Sequence, residues 1–334
     1  MNLSVRIASA AYAVPPNEEN VADILKREHL RVESTLAPLP PRARQRALDN
    51  LGFSRVRVCG EVQPYDLALQ AAKQAIDEAG IAPREIDFIL DYSTFPGESS
   101  QSISFAHRLS ADLGAETSMN LSFRAGGCGA LHLAIKTALG WMLQDERMHT
   151  ALLVTADTAP LNNRSLLPIT VQGDAASAVV LRRDPSFGPL LLGVEALTLG
   201  HLHNAIAVLQ NDGQIELKAD AVMIEHKVMP IFYLHLFRLA GKVLAEAGLH
   251  MSGVDHFIYS NISLRDRDGF RRMVGLPEGA LPKTRMDELG HTFASDLVIN
   301  YAEICRQGLI RPGQLLLFAS AGIGFTWGVT LARA

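Results

Sequence analysis

The stretch Glu-Ala-Gly-Ile at residues 78–81, followed by Ile-Asp-Phe-Ile at residues 86–89, gives the first indication of the fold. The pattern recurs 168 residues later as Glu-Ala-Gly-Leu at residues 246–249, followed by Val-Asp-His-Phe-Ile at residues 254–258. In both copies an amphipathic helix ends at a glycine suited to a left-handed C-cap, and a short loop then leads into a strand. The distance from the glycine to the following apolar-Asp pair is equal in the two copies. This favours an internal duplication, so we expect the two halves to share one topology.

Strand-like and helix-like patterns alternate along both halves of the chain. Short apolar runs, typical of buried strands, occur at residues 88–92, 151–155, 178–181, 257–259 and 315–319. Between them lie helical patterns such as residues 65–79 and 131–143. The alternation predicts an α/β fold. With 334 residues, and roughly 150 residues per domain, we expect two units, residues 1–185 and residues 186–334.

The composition is that of an ordinary globular protein, with 48% hydrophobic and 20% charged residues. No uninterrupted apolar run approaches the roughly 18 residues that a membrane-spanning helix requires. The net charge of -4 provides no overall field for nucleic acid or an anionic membrane surface. Three widely spaced cysteines match neither a disulfide scaffold nor a zinc site, which favours a cytoplasmic protein.

Cys128 is the candidate nucleophile. It lies in Ala-Gly-Gly-Cys-Gly-Ala at residues 125–130, directly before a helical pattern. The unpaired amides and the positive end of a helix favour a thiolate at that position, and the flanking glycines leave room for a substrate. The alternative is a small buried residue where the helix begins.

A thiolate nucleophile needs a base, and the base needs an orienting partner. Of the 11 histidines, most, including His132, fall within helical patterns or flank strands, and we expect them to be packing or surface residues. His291 instead precedes a helical pattern in the second half, and by the duplication this position is equivalent to that of Cys128. Asp296, in the first turn of that helix, is placed to reach back to the imidazole. The alternative for Asp296 is an acid favoured at a helix N-terminus.

A turn rich in small residues, residues 319–328, follows the strand-like run at 315–318 and is expected to expose backbone amides. The amides of Ile323 and Cys128 are therefore candidates for an oxyanion hole.

Four segments, taken together and in order, resemble a known family. They are Leu-Gly-Phe at 51–53, Gly-Cys-Gly at 127–129, Gln-Gly-Asp-Ala-Ala at 172–176 and Gly-Phe-Thr-Trp-Gly at 324–328. The chain resembles the thiolase-fold β-ketoacyl-acyl carrier protein synthase III group over nearly all of residues 51–333. The resemblance implies a five-layered αβαβα fold of two duplicated halves, and a homodimer.

Condensing members of this family share a Cys, His, Asn set, and the chain departs from that set at two positions. Ser260 stands where the family has His, and His291 stands where the family has Asn. The usual pair of donors stabilises the enolate of a malonyl thioester, and Ser260 does not replace the imidazole of that pair. Cys128, His291 and Asp296 instead resemble the Cys-His-Asp variants, which are acyltransferases or starter-unit acylating enzymes of polyketide and other secondary metabolism.

The resemblance therefore implies an acyltransferase that takes an acyl group from a coenzyme A or acyl carrier protein thioester. The group would pass through acyl-Cys128 to a hydroxyl, amine or thiol of a small-molecule acceptor. The thioester is the substrate, so neither a cofactor nor a metal is expected. Ser260, Gly322 and His201 are expected to bind substrate.

Three alternatives stay open at this point. A decarboxylative β-ketoacyl synthase would use His291 alone for the role of two donors. A cysteine hydrolase of the α/β-hydrolase type is favoured by the glycines around Cys128, but in that fold the acid normally precedes the histidine. An inactive partner subunit of a catalytic homologue would have no need of a complete Cys, His and Asp set.

Overall fold

The computed structural model describes residues 4–28, 41–95, 104–160, 163–166, 169–183, 186, 188–211, 214–276, 281–282 and 284–334. Residue 185 lies outside the described residues, so the division of the chain at that point stays a prediction.

The described residues form fifteen strands and ten helices. The strands are β1 (Arg6–Ala13), β2 (Asn17–Asn20), β3 (Arg55–Val58), β4 (Phe88–Asp91), β5 (Met119–Ser122), β6 (Thr150–Asp157), β7 (Ser165–Leu166), β8 (Thr170–Val171), β9 (Ala175–Arg182), β10 (Leu190–Thr198), β11 (Ile206–Asn211), β12 (Gln214–Ala219), β13 (His256–Tyr259), β14 (Leu315–Gly322) and β15 (Thr326–Arg333). The helices are α1 (Val21–Glu28), α2 (Pro41–Leu51), α3 (Pro64–Ala79), α4 (Phe105–Leu113), α5 (Ala130–Gln144), α6 (Ala221–Met223), α7 (Met229–Glu246), α8 (Leu264–Met273), α9 (Met286–Leu289) and α10 (Ser295–Arg306).

Nine strands form one sheet in the order β13-β14-β15-β10-β1-β9-β6-β4-β5. Its two parts meet at a single register pair, Arg6 with Leu190, between β1 and β10. The first part contains β1, β9, β6, β4 and β5, and the second contains β10, β15, β14 and β13. The sheet therefore consists of two mixed sheets joined at one corner.

Each part of the sheet lies between helices. Helices α5 and α10 contact strands of both parts, α3 covers the outer face of the first part, and α7 covers the outer face of the second. The order is helix, sheet, helix, sheet, helix. The predicted five-layered αβαβα fold is confirmed.

The element order shows the duplication directly. The series β1, α3, β4, α5, β6, β9 recurs as β10, α7, β13, α10, β14, β15, and equivalent strands occupy mirrored places in the sheet order. The predicted C-cap glycines, Gly80 and Gly248, have φ values of 65° and 69°. In both copies the chain leaves the helix through this left-handed conformation. A side chain would be strained there, which explains the glycine.

The stretch Ile224–Glu246 has the length and composition of a membrane-spanning helix, with a mean hydropathy of 1.4. Arg238 and Lys242 interrupt it, so the sequence shows no continuous apolar run. Phe232, Leu236 and Val243 are buried on one side, which packs against the second part of the sheet. Burial on one side is typical of a helix that covers a sheet.

His132 is fully buried in α5, where it joins the two last strands of the chain. Its Nδ1 lies 2.8 Å from the Thr330 hydroxyl on β15, and its Nε2 lies 3.1 Å from the Ser320 hydroxyl on β14. Burial lowers the pKa of His132 to about 3. The imidazole is therefore neutral in the folded protein.

This buried imidazole predicts a pH dependence of stability. In the unfolded chain His132 takes up a proton near pH 6.5, whereas in the folded protein it does so only near pH 3. Stability is thus lost as pH falls from about 6.5 towards 3. In His132→Gln, the free energy of unfolding measured in urea between pH 4 and pH 6 should fall less steeply with acid, by about 1.4 kcal/mol per pH unit. His149→Gln, at an exposed histidine, is the control, and equal slopes in all three proteins would contradict the assignment.

Candidate active site

Cys128 lies in a tight turn that sequence reasoning placed correctly. The turn, Gly127–Gly129, leads directly into α5, and Gly126 and Gly127 both have positive φ values, 88° and 50°. Such angles favour glycine, which explains the glycines that precede the cysteine. The Cys128 side chain is 7% exposed, so the sulfur lies at the wall of a buried site rather than on the surface.

His291 approaches Cys128 from the other half of the chain. Its Nε2 lies 3.0 Å from the Cys128 Sγ. The backbone of His291 is held beside β8, where Gly173 N donates to the His291 carbonyl. The preceding Gly290 has a φ of 65°, and a methyl group on it would lie 2.7 Å from Val56. The chain can therefore deliver the imidazole only with a glycine at that position.

Asp296 lies behind the imidazole and is fully buried. Its Oδ2 accepts hydrogen bonds from His291 Nδ1 and from Asn261 N, both at 2.6 Å. Its Oδ1 accepts from the backbone N and the hydroxyl of Thr292, both at 2.7 Å. Four donors thus surround a carboxylate that has no contact with water, which offsets the cost of burying its charge.

The charges within this line of groups favour a protonated imidazole. Burial alone would lower the pKa of His291, but the adjacent Cys128 sulfur and Asp296 carboxylate outweigh it and hold the pKa well above its usual value. While the sulfur carries negative charge, the imidazolium is paired on both sides. The arrangement suits a thiolate nucleophile with a proton stored next to it.

Two further residues of this site were missed by sequence reasoning. Asn261 positions Asp296 through its backbone N–H, while its side chain bonds to Asn300 and accepts from the buried Arg267 at 3.1 Å. Thr292 supplies the two donors to Oδ1. Both stand next to residues that the sequence had singled out, Ser260 and His291, but adjacency in the chain gives no information on which group each side chain meets.

The predicted oxyanion segment packs directly on the cysteine turn. A methyl group on Gly322 would lie 2.2 Å from the Cys128 nitrogen, and one on Gly127 would lie 2.6 Å from the Ile323 nitrogen. The backbones therefore approach as closely as glycine permits. The two amides proposed to bind an oxyanion lie on these adjacent backbones, and their role stays a prediction.

Two predicted substrate residues lie in different settings. Ser260 directly follows β13, is fully buried, and its hydroxyl has no hydrogen-bond partner among the described residues. His201 is exposed on the short turn Gly200–Leu202 that follows β10. No cluster of three or more His, Cys, Asp or Glu side chains in the described part of the chain could hold a metal ion. Substrate binding by Ser260 and His201, and catalysis without a cofactor, stay predictions.

Comparisons with known proteins agree with this architecture. Residues 244–334 match the family model described as the C-terminal part of 3-oxoacyl-[acyl-carrier-protein] synthase III. The chain is 27% identical over 271 residues to the β-ketoacyl-[acyl-carrier-protein] synthase III of Erythrobacter litoralis, covering 80% of this chain and 83% of that protein.

Two solved structures share its fold. The 3-oxoacyl-[acyl-carrier-protein] synthase III of Aquifex aeolicus matches with a TM-score of 0.80 and 20% identity, over 99% of this chain and 100% of that chain. The acyltransferase ChlB3 matches with a TM-score of 0.83 and 22% identity, over 99% of this chain and 98% of that chain. These comparisons agree with the duplicated halves: the chain has the thiolase fold and is similar in sequence to β-ketoacyl-acyl carrier protein synthase III proteins.

Proposed function

We propose that this protein is an acyltransferase of polyketide-type secondary metabolism that carries its acyl group on Cys128. One observation carries the proposal: the Cys128 sulfur, the His291 imidazole and the Asp296 carboxylate form one hydrogen-bonded line, with separations of 3.0 Å and 2.6 Å. This is the order of nucleophile, base and orienting acid that acyl transfer requires.

In the first half-reaction the Cys128 thiolate attacks the carbonyl carbon of an acyl thioester. The carbonyl oxygen becomes negative in the tetrahedral intermediate, and the Cys128 and Ile323 N–H groups are proposed to stabilise it. The intermediate collapses with loss of the donor thiolate, which takes the proton of His291. The products are acyl-Cys128, a neutral imidazole and a free thiol, so charge and protons balance.

In the second half-reaction a hydroxyl, amine or thiol attacks the acyl-Cys128 carbonyl. His291 Nε2, now neutral, removes the proton of the attacking group as the new bond forms. The Cys128 thiolate then leaves, and the starting imidazolium is restored. Asp296 takes no proton in this scheme: it orients the ring through Nδ1 and stabilises the imidazolium that the first half-reaction consumes and the second restores.

A decarboxylative β-ketoacyl synthase is the second candidate, favoured by the names of the similar proteins from Erythrobacter litoralis and Aquifex aeolicus. Condensation forms an enolate, which needs donors that the acyl transfer does not. Ser260 offers a hydroxyl in place of an imidazole, and the neighbouring Asn261 side chain is engaged with Asn300 and Arg267. These contacts support acyl transfer as the better interpretation.

We propose that the acyl donor is a coenzyme A or acyl carrier protein thioester. A cavity of about 930 Å³ opens between α2 and α8, and four arginines, Arg265, Arg267, Arg271 and Arg272, are part of its wall. Arg267 also contacts Asn261, whose backbone binds Asp296, so this cavity adjoins the active site. Arg271 and Arg272 pair with Asp268 on the same wall, so the exposed Arg265 is the guanidinium that best suits the phosphates that both donors carry.

We also propose a homodimer. Strand β5 forms one edge of the nine-stranded sheet, and Met119 on it is 41% exposed. An open edge of this kind supports pairing with a second copy.

Acylation of Cys128 is the direct test of the proposal. Incubation with a panel of acyl thioesters should add the mass of one acyl group, and the adduct should disappear in Cys128→Ala. Cys305→Ala, which removes the exposed thiol, is the control and should keep the adduct. A chase with amines, alcohols or thiols should then release it without formation of CO₂.

Release of CO₂ and a β-ketoacyl product from a malonyl thioester would favour the condensing alternative. If no donor acylates Cys128, both enzymatic candidates are wrong, and the result favours an inactive partner subunit of a catalytic homologue.

Replacement of the orienting acid should impair turnover strongly. In Asp296→Asn the amide cannot hold the imidazole in the same tautomer, so kcat should fall by about 10³- to 10⁴-fold. Asp255→Asn is the matched control. Asp255 also accepts a hydrogen bond from a backbone N–H, that of Leu315 at 2.7 Å, but it lies before β13, whereas Asn261 of the site lies after that strand. A loss of less than tenfold in Asp296→Asn, measured in steady-state acyl transfer, would show that Asp296 does not orient the base.

The donor cavity gives a separate prediction. Arg265 is exposed on its wall, and Arg265→Ala should raise KM for a coenzyme A thioester by about 3- to 10-fold at low salt, with kcat unchanged. The KM for an N-acetylcysteamine thioester, which lacks phosphates, should stay the same. Arg311→Ala, at an exposed arginine that precedes β14 and is not part of the cavity wall, is the control. Equal effects on both donors would place the phosphates elsewhere.

A further inference from the structure

A chain of hydrogen bonds runs from the core of the second half to the backbone of the nucleophile. The Ser320 hydroxyl donates to the Cys128 carbonyl at 3.0 Å. His132 Nε2 lies 3.1 Å from the same hydroxyl, and His132 Nδ1 lies 2.8 Å from the Thr330 hydroxyl. All of these side chains are buried. The acyl-transfer scheme above makes no use of them.

The direction of each hydrogen bond follows from the one that Ser320 makes with the Cys128 carbonyl. The Cys128 carbonyl can only accept a hydrogen bond, so the Ser320 hydroxyl must donate its single proton to that carbonyl. The Ser320 oxygen must then accept from a protonated His132 Nε2. With Nε2 protonated and the ring neutral, Nδ1 is bare and accepts from Thr330. The chain of bonds therefore fixes one tautomer of His132.

The same residues join the two backbones that approach each other at the site. Ser320 lies on β14, two residues before Gly322, which contacts the Cys128 nitrogen. His132 lies in the first turn of the helix that begins beside Cys128. Its ring lies against Gly328 of β15, where a methyl group would come within 2.4 Å of it. The relay thus ties the end of β14 to the start of α5 from inside the core.

We propose that His132 is a positioning residue: through Ser320 it holds the Cys128 carbonyl and so fixes the Cys128 and Ile323 amides in the arrangement that receives the acyl oxyanion. This inference rests on the proposed function. It also separates two duties of the site. His291 and Asp296 govern the charge on the sulfur, whereas the relay governs the geometry around the carbonyl oxygen of the substrate.

That separation provides the experiment. Reaction of Cys128 with iodoacetamide needs the thiolate but no oxyanion hole, whereas reaction with a thioester needs both. In His132→Ala and Ser320→Ala the acylation rate by a thioester should fall by about 10- to 100-fold. The alkylation rate should stay within about twofold, because the thiolate and His291 are unaltered. His132→Gln, which can still donate to Ser320, should recover most of the lost rate.

The matched control is Ser9→Ala. Ser9 also donates from a buried hydroxyl to a backbone carbonyl, that of Ala75 at 2.6 Å, but away from the site. It should leave both rates unchanged. If acylation and alkylation fall together in the His132 and Ser320 variants, or if neither falls, the positioning role is wrong.

A second measurement does not depend on the proposed function. The ring ¹⁵N resonances of His132 in the full chain should show the Nε2–H tautomer from pH 5 to pH 9, and this preference should be lost in Ser320→Ala. An Nδ1–H tautomer, or protonation within that range, would overturn the relay. A wild-type protein that no thioester acylates, yet shows this tautomer, would refute the proposed function and leave the hydrogen-bond relay standing.

Discussion

The contact between the Cys128 sulfur and the His291 imidazole is the interaction on which the site depends. Its partners lie 163 residues apart and belong to different halves of the duplicated fold. Helices α5 and α10 form the central layer, and the two residues lie just before these equivalent helices begin. One helix start supplies the proposed nucleophile and the other supplies its proposed base. Because the two helices lie in one layer, the residues just before them meet, with 3.0 Å between the sulfur and the imidazole nitrogen.

Burial makes this contact effective and also costly. The carboxylate of Asp296 has no access to water, and an unpaired charge there would destabilise the protein by several kcal/mol. Four hydrogen bonds to the two Asp296 oxygens, two of them from backbone amides, offset that cost. The result is a rigid acid that can orient the imidazole and cannot easily change partners. Such preorganisation would lower the reorganisation that each step of the proposed acyl transfer requires.

The comparisons and the site point to related but different chemistries. The similar protein of Erythrobacter litoralis is named a β-ketoacyl-[acyl-carrier-protein] synthase III, whereas the side chains around Cys128 form a line of sulfur, imidazole and carboxylate that suits acyl transfer. Both chemistries begin with an acyl-cysteine. The fold, the cysteine turn and the close packing of Gly322 on that turn therefore suit either one. The two residues at which the resemblance implies a difference, Ser260 and His291, lie directly after β13 and before α10. The proposed change of reaction at these two positions would leave the architecture untouched.

The sequence alone determined the duplication, the α/β class and the identity of the three side chains that the structure brings into one hydrogen-bonded line, because each leaves a local signal. A glycine after an amphipathic helix, a cysteine between glycines, and a histidine five residues before an acid can all be read within short windows. The roles of Asn261, Thr292 and His132 were decided only by the tertiary structure. His132 was expected to be a packing residue, and the pattern around it cannot show that β14 and β15 bring Ser320 and Thr330 to its two nitrogens. Periodicity identifies which face of an element is buried, but hydrogen-bond partners nearly 200 residues away become neighbours only when the sheet forms.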